Sequence, residues 1–175
     1  MTNTNRFEKV SFEEFSSAIK ASILYRYWGE KYANDIYEQI KLPKRATSGS
    51  AGYDFFLPVS FSLRPGETIK IPTGIKCKLK PGRVLMIYPR SSLGFKYRLQ
   101  LDNTVGVVDA DYYNNASNEG HIYIKVTNDT KSRDSVLSVD AGDAIAQGII
   151  TTFDVTEDDD ANTTRAGGIG STSKP

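Results

Sequence analysis

One cysteine and one histidine are all this 175-residue chain holds of the strongest metal and redox ligands. Cys77 has no second cysteine with which to close an internal disulfide, and His121 cannot by itself found a multi-histidine metal centre. Charge of one sign is also scarce: 22 basic residues stand against 21 acidic ones, a net of +1. That balance offers no broad field to nucleic acid or to an anionic membrane, so any anion must be gripped locally. No apolar run nears membrane-spanning length, and the opening Met1-Thr2-Asn3-Thr4-Asn5-Arg6 has no signal-peptide core. The expectation is a soluble, cytoplasmic protein that engages neither nucleic acid nor membrane.

What is present is an ordinary apolar fraction, 39%, enough for one domain with a real core. Residues 1–42 read as an N-terminal strand and helical extension. Ser11 and Glu14 have capping-box spacing, followed by Phe12, Phe15, Ile19 and Ile23 on one helical face. An aromatic-rich run with Tyr25, Tyr27, Trp28, Tyr32 and Tyr37 then stops before Pro43, and its spacing suits packing or a subunit contact.

Residues 43–153 switch to period two. Ile75, Cys77 and Leu79 alternate with Lys76, Lys78 and Lys80, which places Cys77 on the dry face of a strand as a core residue, not a nucleophile. Further strands are expected over 55–61, 68–71, 84–88, 121–126 and 144–153. Turn signals separate them at Arg64-Pro65-Gly66, Lys80-Pro81-Gly82 and Ala141-Gly142-Asp143. Short strands without intervening helices predict a compact, mainly β body. Residues 154–175 lose nearly all apolar content, carry an acidic run from Glu157 to Asp160, and read as a mobile tail.

Three segments carry candidate chemistry. Asp109 and Asp111 follow the apolar run Gly106-Val107-Val108, and in extended chain they would share one face. Such a face is either a solvated strand end or a place where water, metal or phosphate is handled. Pro89-Arg90-Ser91-Ser92-Leu93-Gly94 offers a guanidinium fork, hydroxyls and turn N–H groups suited to phosphate, and equally suits a plain tight turn. The tail places Arg165 before Gly167, Gly168, Gly170, Ser171 and Thr172, either a disordered end or a cation followed by backbone and hydroxyls that can close on an anion.

Taken in order, Ala51-Gly52-Tyr53-Asp54, the 89–94 segment, Asn103 to Tyr112, Gly142 to Gln147 and Arg165 to Thr172 resemble the five motifs of the trimeric, all-β dUTP diphosphatases. The resemblance spans about residues 43 to 172. It implies a distorted jelly-roll, or β-clip barrel, and hydrolysis of dUTP to dUMP and pyrophosphate, which keeps uracil out of DNA and supplies dUMP for dTMP synthesis. By the same resemblance, Asp109 activates the attacking water, while Asp54 and Asp111 organise the site. Asn103, Gly106 and Val108, with Tyr112 and Ile169, receive uracil and deoxyribose. Arg90, Ser91, Ser92, Gln147, Arg165, Ser171 and Thr172 hold the phosphates. Mg2+ is expected as a cofactor carried by the triphosphate and waters, with no direct protein ligand, and the assembly as a homotrimer.

The chain departs from that family pattern in three places. A polar loop, 113–119, intervenes after Tyr112; Ile169 stands where a base-stacking Phe is usual, which predicts weaker nucleotide retention; and the N-terminal extension is additional. The rival readings are a dCTP deaminase-related enzyme, which would need a catalytic Glu where Lys125 stands, and a regulatory or binding protein on the same scaffold.

Overall fold

A computed structural model describes residues 4–22, 32–163, 165, 167 and 168. The chain opens with strand β1 (Arg6–Lys9), which pairs antiparallel with β5 (Ile75–Lys78) so that Phe7 lies opposite Cys77. Helix α1 (Phe12–Lys20) begins where the capping signal predicts, with the Ser11 hydroxyl accepting from the Glu14 N–H at 3.1 Å. The reciprocal arm of the box is diverted. The Ser11 N–H donates to Glu119 at 3.0 Å, and the Glu14 carboxylate turns to His121 instead.

Phe15 and Ile19 on the inner face of α1 are fully buried, and Tyr37 of α2 (Ala33–Gln39) packs its ring 5.6 Å from Phe12 and 5.8 Å from Phe15. Burying a side chain such as Phe15 contributes about 1.5–3 kcal/mol. The predicted aromatics Tyr25, Tyr27 and Trp28, like Ile23, lie outside the described residues.

The period-two region forms β2 (Tyr53–Phe56), β3 (Phe61–Leu63), β4 (Thr68–Pro72), β6 (Arg83–Pro89), β9 (Tyr123–Asn128) and β11 (Ala144–Thr152). The strand expected over 55–61 is broken in two, because Pro58 has no N–H to give a ladder. Strands β7 (Leu99–Leu101), β8 (Gly106–Val108) and β10 (Leu137–Val139) have three residues each, too few for a period to register. Both Pro-Gly turns close as expected, Glu67 N–H to the Arg64 carbonyl at 3.0 Å and Arg83 N–H to the Lys80 carbonyl at 3.2 Å.

Among the described residues the strands make small antiparallel sheets in the orders β1-β5, β3-β10, β2-β11-β6-β8 and β4-β9-β7. They wrap one core that includes Phe55, Ile71, Leu85, Ile124 and Leu137 together with Phe15 of α1. This is the mainly β, jelly-roll-like architecture that the motif order implies. Cys77 is 1% exposed, and burial pushes its thiol up to about 12, so the dry-face expectation holds and the residue is no nucleophile at neutral pH.

Candidate active site

β8 lies at the edge of the four-stranded sheet, paired with β6 through Leu85↔Val108 and Ile87↔Gly106. A Cβ added at Gly106 would stand 3.1 Å from the Ile87 Cβ, so glycine lets the two backbones run this close. The chain enters β8 from β7 by a tight corner: Thr104 N–H reaches the Leu101 carbonyl at 2.9 Å, and Val105 N–H reaches the Asn103 carbonyl at 2.7 Å. β7 belongs to the sheet with β9 and β8 to the sheet with β6, so the segment is a corner between two sheets, not a paired hairpin. In that corner a cavity of about 230 Å³ opens, lined by Asn103, Gly106, Val108, Asp109, Tyr112 and Arg165. All six are among the residues singled out in the sequence. Ile87, Ile122 and Tyr123 also line it; they were not picked out, since each reads as an ordinary strand residue.

The two carboxylates meet by a different route from the one strand periodicity suggests. β8 ends at Val108, and Ala110–Tyr112 is a single 3₁₀ turn with Asp109 at its cap. The convergence comes from Arg165, whose Nη2 donates to Asp109 Oδ2 at 2.8 Å and whose Nε donates to Asp111 Oδ1 at 3.0 Å. The guanidinium side chain is 11% exposed, against 51% for Asp109 and 49% for Asp111, so the cation is the enclosed member and the acids face the mouth. It also lies over the Tyr112 ring, 5.5 Å from the centroid. Tyr112 itself is buried. Its hydroxyl donates to the His121 carbonyl at 2.9 Å and accepts from Asn118 Nδ2 at 2.8 Å, and burial raises its pKa above the ordinary phenol value.

A second cluster is built by register on the same sheet. Gln147 of β11 lies opposite Asp54 of β2 on one side and Tyr88 of β6 on the other. Arg90, just past β6, sets its Nε 3.5 Å from Asp54 Oδ1, and Gln147 Nε2 donates to the Pro89 carbonyl at 3.4 Å. Ser91 and Ser92 are exposed and open α3 (Ser91–Tyr97), a helix in place of the tight turn that the segment equally suited. It ends at Arg98 in the left-handed region, φ 49°.

The two clusters stand apart. β8 runs antiparallel to β6, so Asp109 falls beside Val84 while Arg90 follows Pro89 at the other end. At about 3.3 Å per residue, that is about 20 Å along β6. Within one chain the structure therefore gathers Asn103, Gly106, Val108, Asp109, Asp111, Tyr112 and Arg165 in one place, and Asp54, Arg90, Ser91, Ser92 and Gln147 in another. Ile169, Ser171 and Thr172 lie outside the described residues. A larger cavity, about 530 Å³, lies between β1 and β2 and is lined by Arg6, Arg45, Tyr53 and Arg83; it holds none of the predicted site residues.

The antiparallel β body holds a small cleft walled by backbone and aliphatic side chains, with one amide at its side and carboxylates at its mouth, a lining suited to a compact polar ligand. The dUTPase family model matches residues 38–173. A deoxyuridine 5'-triphosphate nucleotidohydrolase of Lactococcus lactis is 43% identical over 135 residues, covering 76% of this chain and 88% of that one. Its counterpart in Hahella chejuensis is 35% identical over 162 residues, covering 88% and 98%. The crystal structure of a dUTPase from Streptococcus mutans superposes with a TM-score of 0.60 at 39% identity, over 69% of this chain and 91% of that chain. A dUTPase from phage phi11 of S. aureus covers 94% of this chain and 99% of its own with a TM-score of 0.62; at 19% identity that likeness speaks to the fold. The chain belongs to the dUTPase family.

Proposed function

We propose that this chain hydrolyses dUTP to dUMP and pyrophosphate. The observation that carries the reading is the Asp109 carboxylate at the mouth of a cleft whose wall is the β8 backbone and whose sides are Asn103 and Tyr112. The β8 main chain and the Asn103 amide present donors and acceptors to a flat base. A base that mismatches them leaves polar groups unpaired, which discriminates strongly. The close β8–β6 approach at Gly106 leaves no room behind the base, and the buried Tyr112 ring takes the space a 2′-hydroxyl would need.

In the reaction a water oxygen held by Asp109 bonds to the α-phosphorus, its proton passes to the Asp109 carboxylate, and the bond from the α-phosphorus to the bridging oxygen breaks, releasing pyrophosphate. Arg165 covers Asp109 in the free protein. A triphosphate offers that guanidinium more negative oxygen than two half-exposed carboxylates do, so the substrate draws Arg165 towards itself and releases Asp109 to bind water. Asp111 keeps the arginine within reach throughout.

Mg2+ fits this donor set as a companion of the phosphates. Among the described residues no group of three or more His, Cys, Asp or Glu is arranged to hold a metal, and a magnesium ion bound through phosphates and water needs no such cage. When bound it neutralises phosphate charge.

Arg90, Ser91, Ser92 and Gln147 complete the phosphate site from a neighbouring copy, with Asp54 orienting Arg90. The separation of about 20 Å along β6 supports this, because the phosphates that follow a nucleoside in the Asp109 cleft fall well short of it. A homotrimer, with each site shared between copies, is the assembly that accounts for both clusters. Deamination finds no support: Lys125 occupies the position its catalytic Glu would need, and its ammonium pairs with Asp102 at 2.8 Å.

Pyrophosphate release from dUTP, dCTP, dTTP and UTP with magnesium tests the reading, run beside Asp109→Asn. Product from dUTP alone, lost in the variant, is expected. Ammonia from dCTP, or an active Asp109→Asn, overturns it.

A further inference from the structure

The polar loop 113–119 is tied into the site by two side chains, Asn115 and Asn118, which both reach Tyr112. Asn115 supports the loop itself: its Oδ1 accepts from Ser117 N–H at 3.0 Å, Ser117 Oγ at 2.8 Å and Asn118 N–H at 3.2 Å, while its Nδ2 donates to the Tyr112 carbonyl at 2.8 Å. Asn118 faces the other way. Its Oδ1 accepts from Asn115 Nδ2 at 2.7 Å and Gly120 N–H at 3.1 Å, and its Nδ2 donates to the Tyr112 hydroxyl at 2.8 Å.

The tail comes to the same place. Gly167 is buried, and a Cβ added at Gly168 would lie 2.8 Å from Ser117 Oγ and 3.4 Å from Asn118 Nδ2. Two residues earlier, Arg165 stacks over the ring whose hydroxyl Asn118 holds. The loop is anchored in turn to the N-terminal extension. Glu119 receives the Ser11 hydroxyl and N–H and pairs with Lys76 at 3.1 Å, and the Tyr113 hydroxyl donates to Glu8 of β1. Gly120, at φ 81°, turns the loop back so tightly that a Cβ there would meet the Tyr112 carbonyl at 2.5 Å.

We propose that Asn118 is a positioning residue for sugar selection: it fixes the Tyr112 ring through the phenol oxygen and, with Ser117, forms the seat for Gly167 and Gly168 of the tail. Ring and tail are then held by one amide, so the 2′-deoxy preference and the docking of the tail are coupled. The inference rests on the dUTP reading above and adds to it the loop 113–119. A polar loop that merely stabilised the fold would not link these two properties.

Asn118→Ala removes the amide that donates to the Tyr112 hydroxyl and, at 3.5 Å, to the His121 carbonyl, whereas a carboxylate there would accept from the phenol and tether the ring again. Losing the hydrogen bond to a buried hydroxyl predicts that the kcat/KM ratio of dUTP over UTP falls by about tenfold, read well below the variant's melting temperature because the acceptor for Gly120 and Asn115 is lost too. An equal fall for both nucleotides, or an unchanged ratio, overturns the role in selection. Hydrogen exchange supplies the second arm, with no nucleotide present. Amide protection around Gly167 and Gly168 is expected to drop in Asn118→Ala, and unchanged protection overturns the seat. A wild-type chain that cleaved no dUTP would sink the hydrolase reading, and the exchange result would still decide whether the loop seats the tail.

Discussion

Gly106 and Asp109 sit three residues apart and show how differently single residues can be read. At Gly106 the limiting contact is steric: a methyl 3.1 Å from the Ile87 Cβ must push β8 off β6 or be accommodated by strain. Gly106→Ala is expected to cost about 1–3 kcal/mol as overpacking does and to raise KM for dUTP more than it lowers kcat, because the wall of the base pocket shifts. Thermal melts and steady-state kinetics on the one variant check both, and an unchanged KM would show that the β8 backbone does not contact the base.

The spacing of Asp109 and Asp111 suggested a shared face of an extended strand; that both bind Arg165 was not legible in it. A 3₁₀ turn and a residue 54 positions away bring them together, and nothing local in the sequence encodes that. Ser11 and Cys77 were readable, since a cap and a dry strand face are set by neighbours in the chain.

At the scale of elements, the long strands and α1 were visible because each carries several repeats of its period. β7, β8 and β10 were not, and Ser91-Ser92-Leu93-Gly94 hides a helix behind residues that favour turns. The pairing of α1 with loop 113–119 depends on contacts more than a hundred residues apart in sequence, such as Ser11 with Glu119 and Glu14 with His121.

This junction carries a pH dependence. His121 accepts the Gly74 N–H on Nε2 at 2.8 Å, and its Nδ1 faces Glu14 of α1 at 3.0 Å, with Glu119 and Lys70 of β4 nearby. Burial holds its pKa below the ordinary 6.5, against the opposing pull of Glu14. For Glu119, burial works against ionisation, but the hydrogen bonds from Ser11 and the Lys76 ammonium outweigh it and keep the carboxyl below its ordinary 4.5.

In both cases the unfolded chain binds protons more readily. The stability each contributes is therefore present above its ordinary value and lost as pH falls through the folded one, His121 first. The melting temperature is expected to hold level above about pH 6.5 and to decline below it. His121→Asn should melt lower at every pH yet lose the part of the decline that begins at 6.5, the ordinary histidine value. A wild-type melting temperature that stayed level down to about pH 5 would contradict the assignment.

At the scale of the whole molecule, the family was legible in the order of five short motifs, and the fold followed from the family and the strand pattern together. What no sequence period could show is that β6 separates the motifs into two groups about 20 Å apart. In the proposed function one group receives the base, the sugar and the attacking water, and the other supplies phosphate donors. The central claim is that one catalytic site takes Asp109 from one copy and Arg90 from another.

Co-expression of Asp109→Asn with Arg90→Ala, each inactive alone, tests it most directly. Random assortment should return about a quarter of wild-type dUTP hydrolysis, from sites that combine an intact Asp109 with an intact Arg90. Mixed assemblies that form but show no recovered activity would place both residues in the site of a single chain and contradict the account.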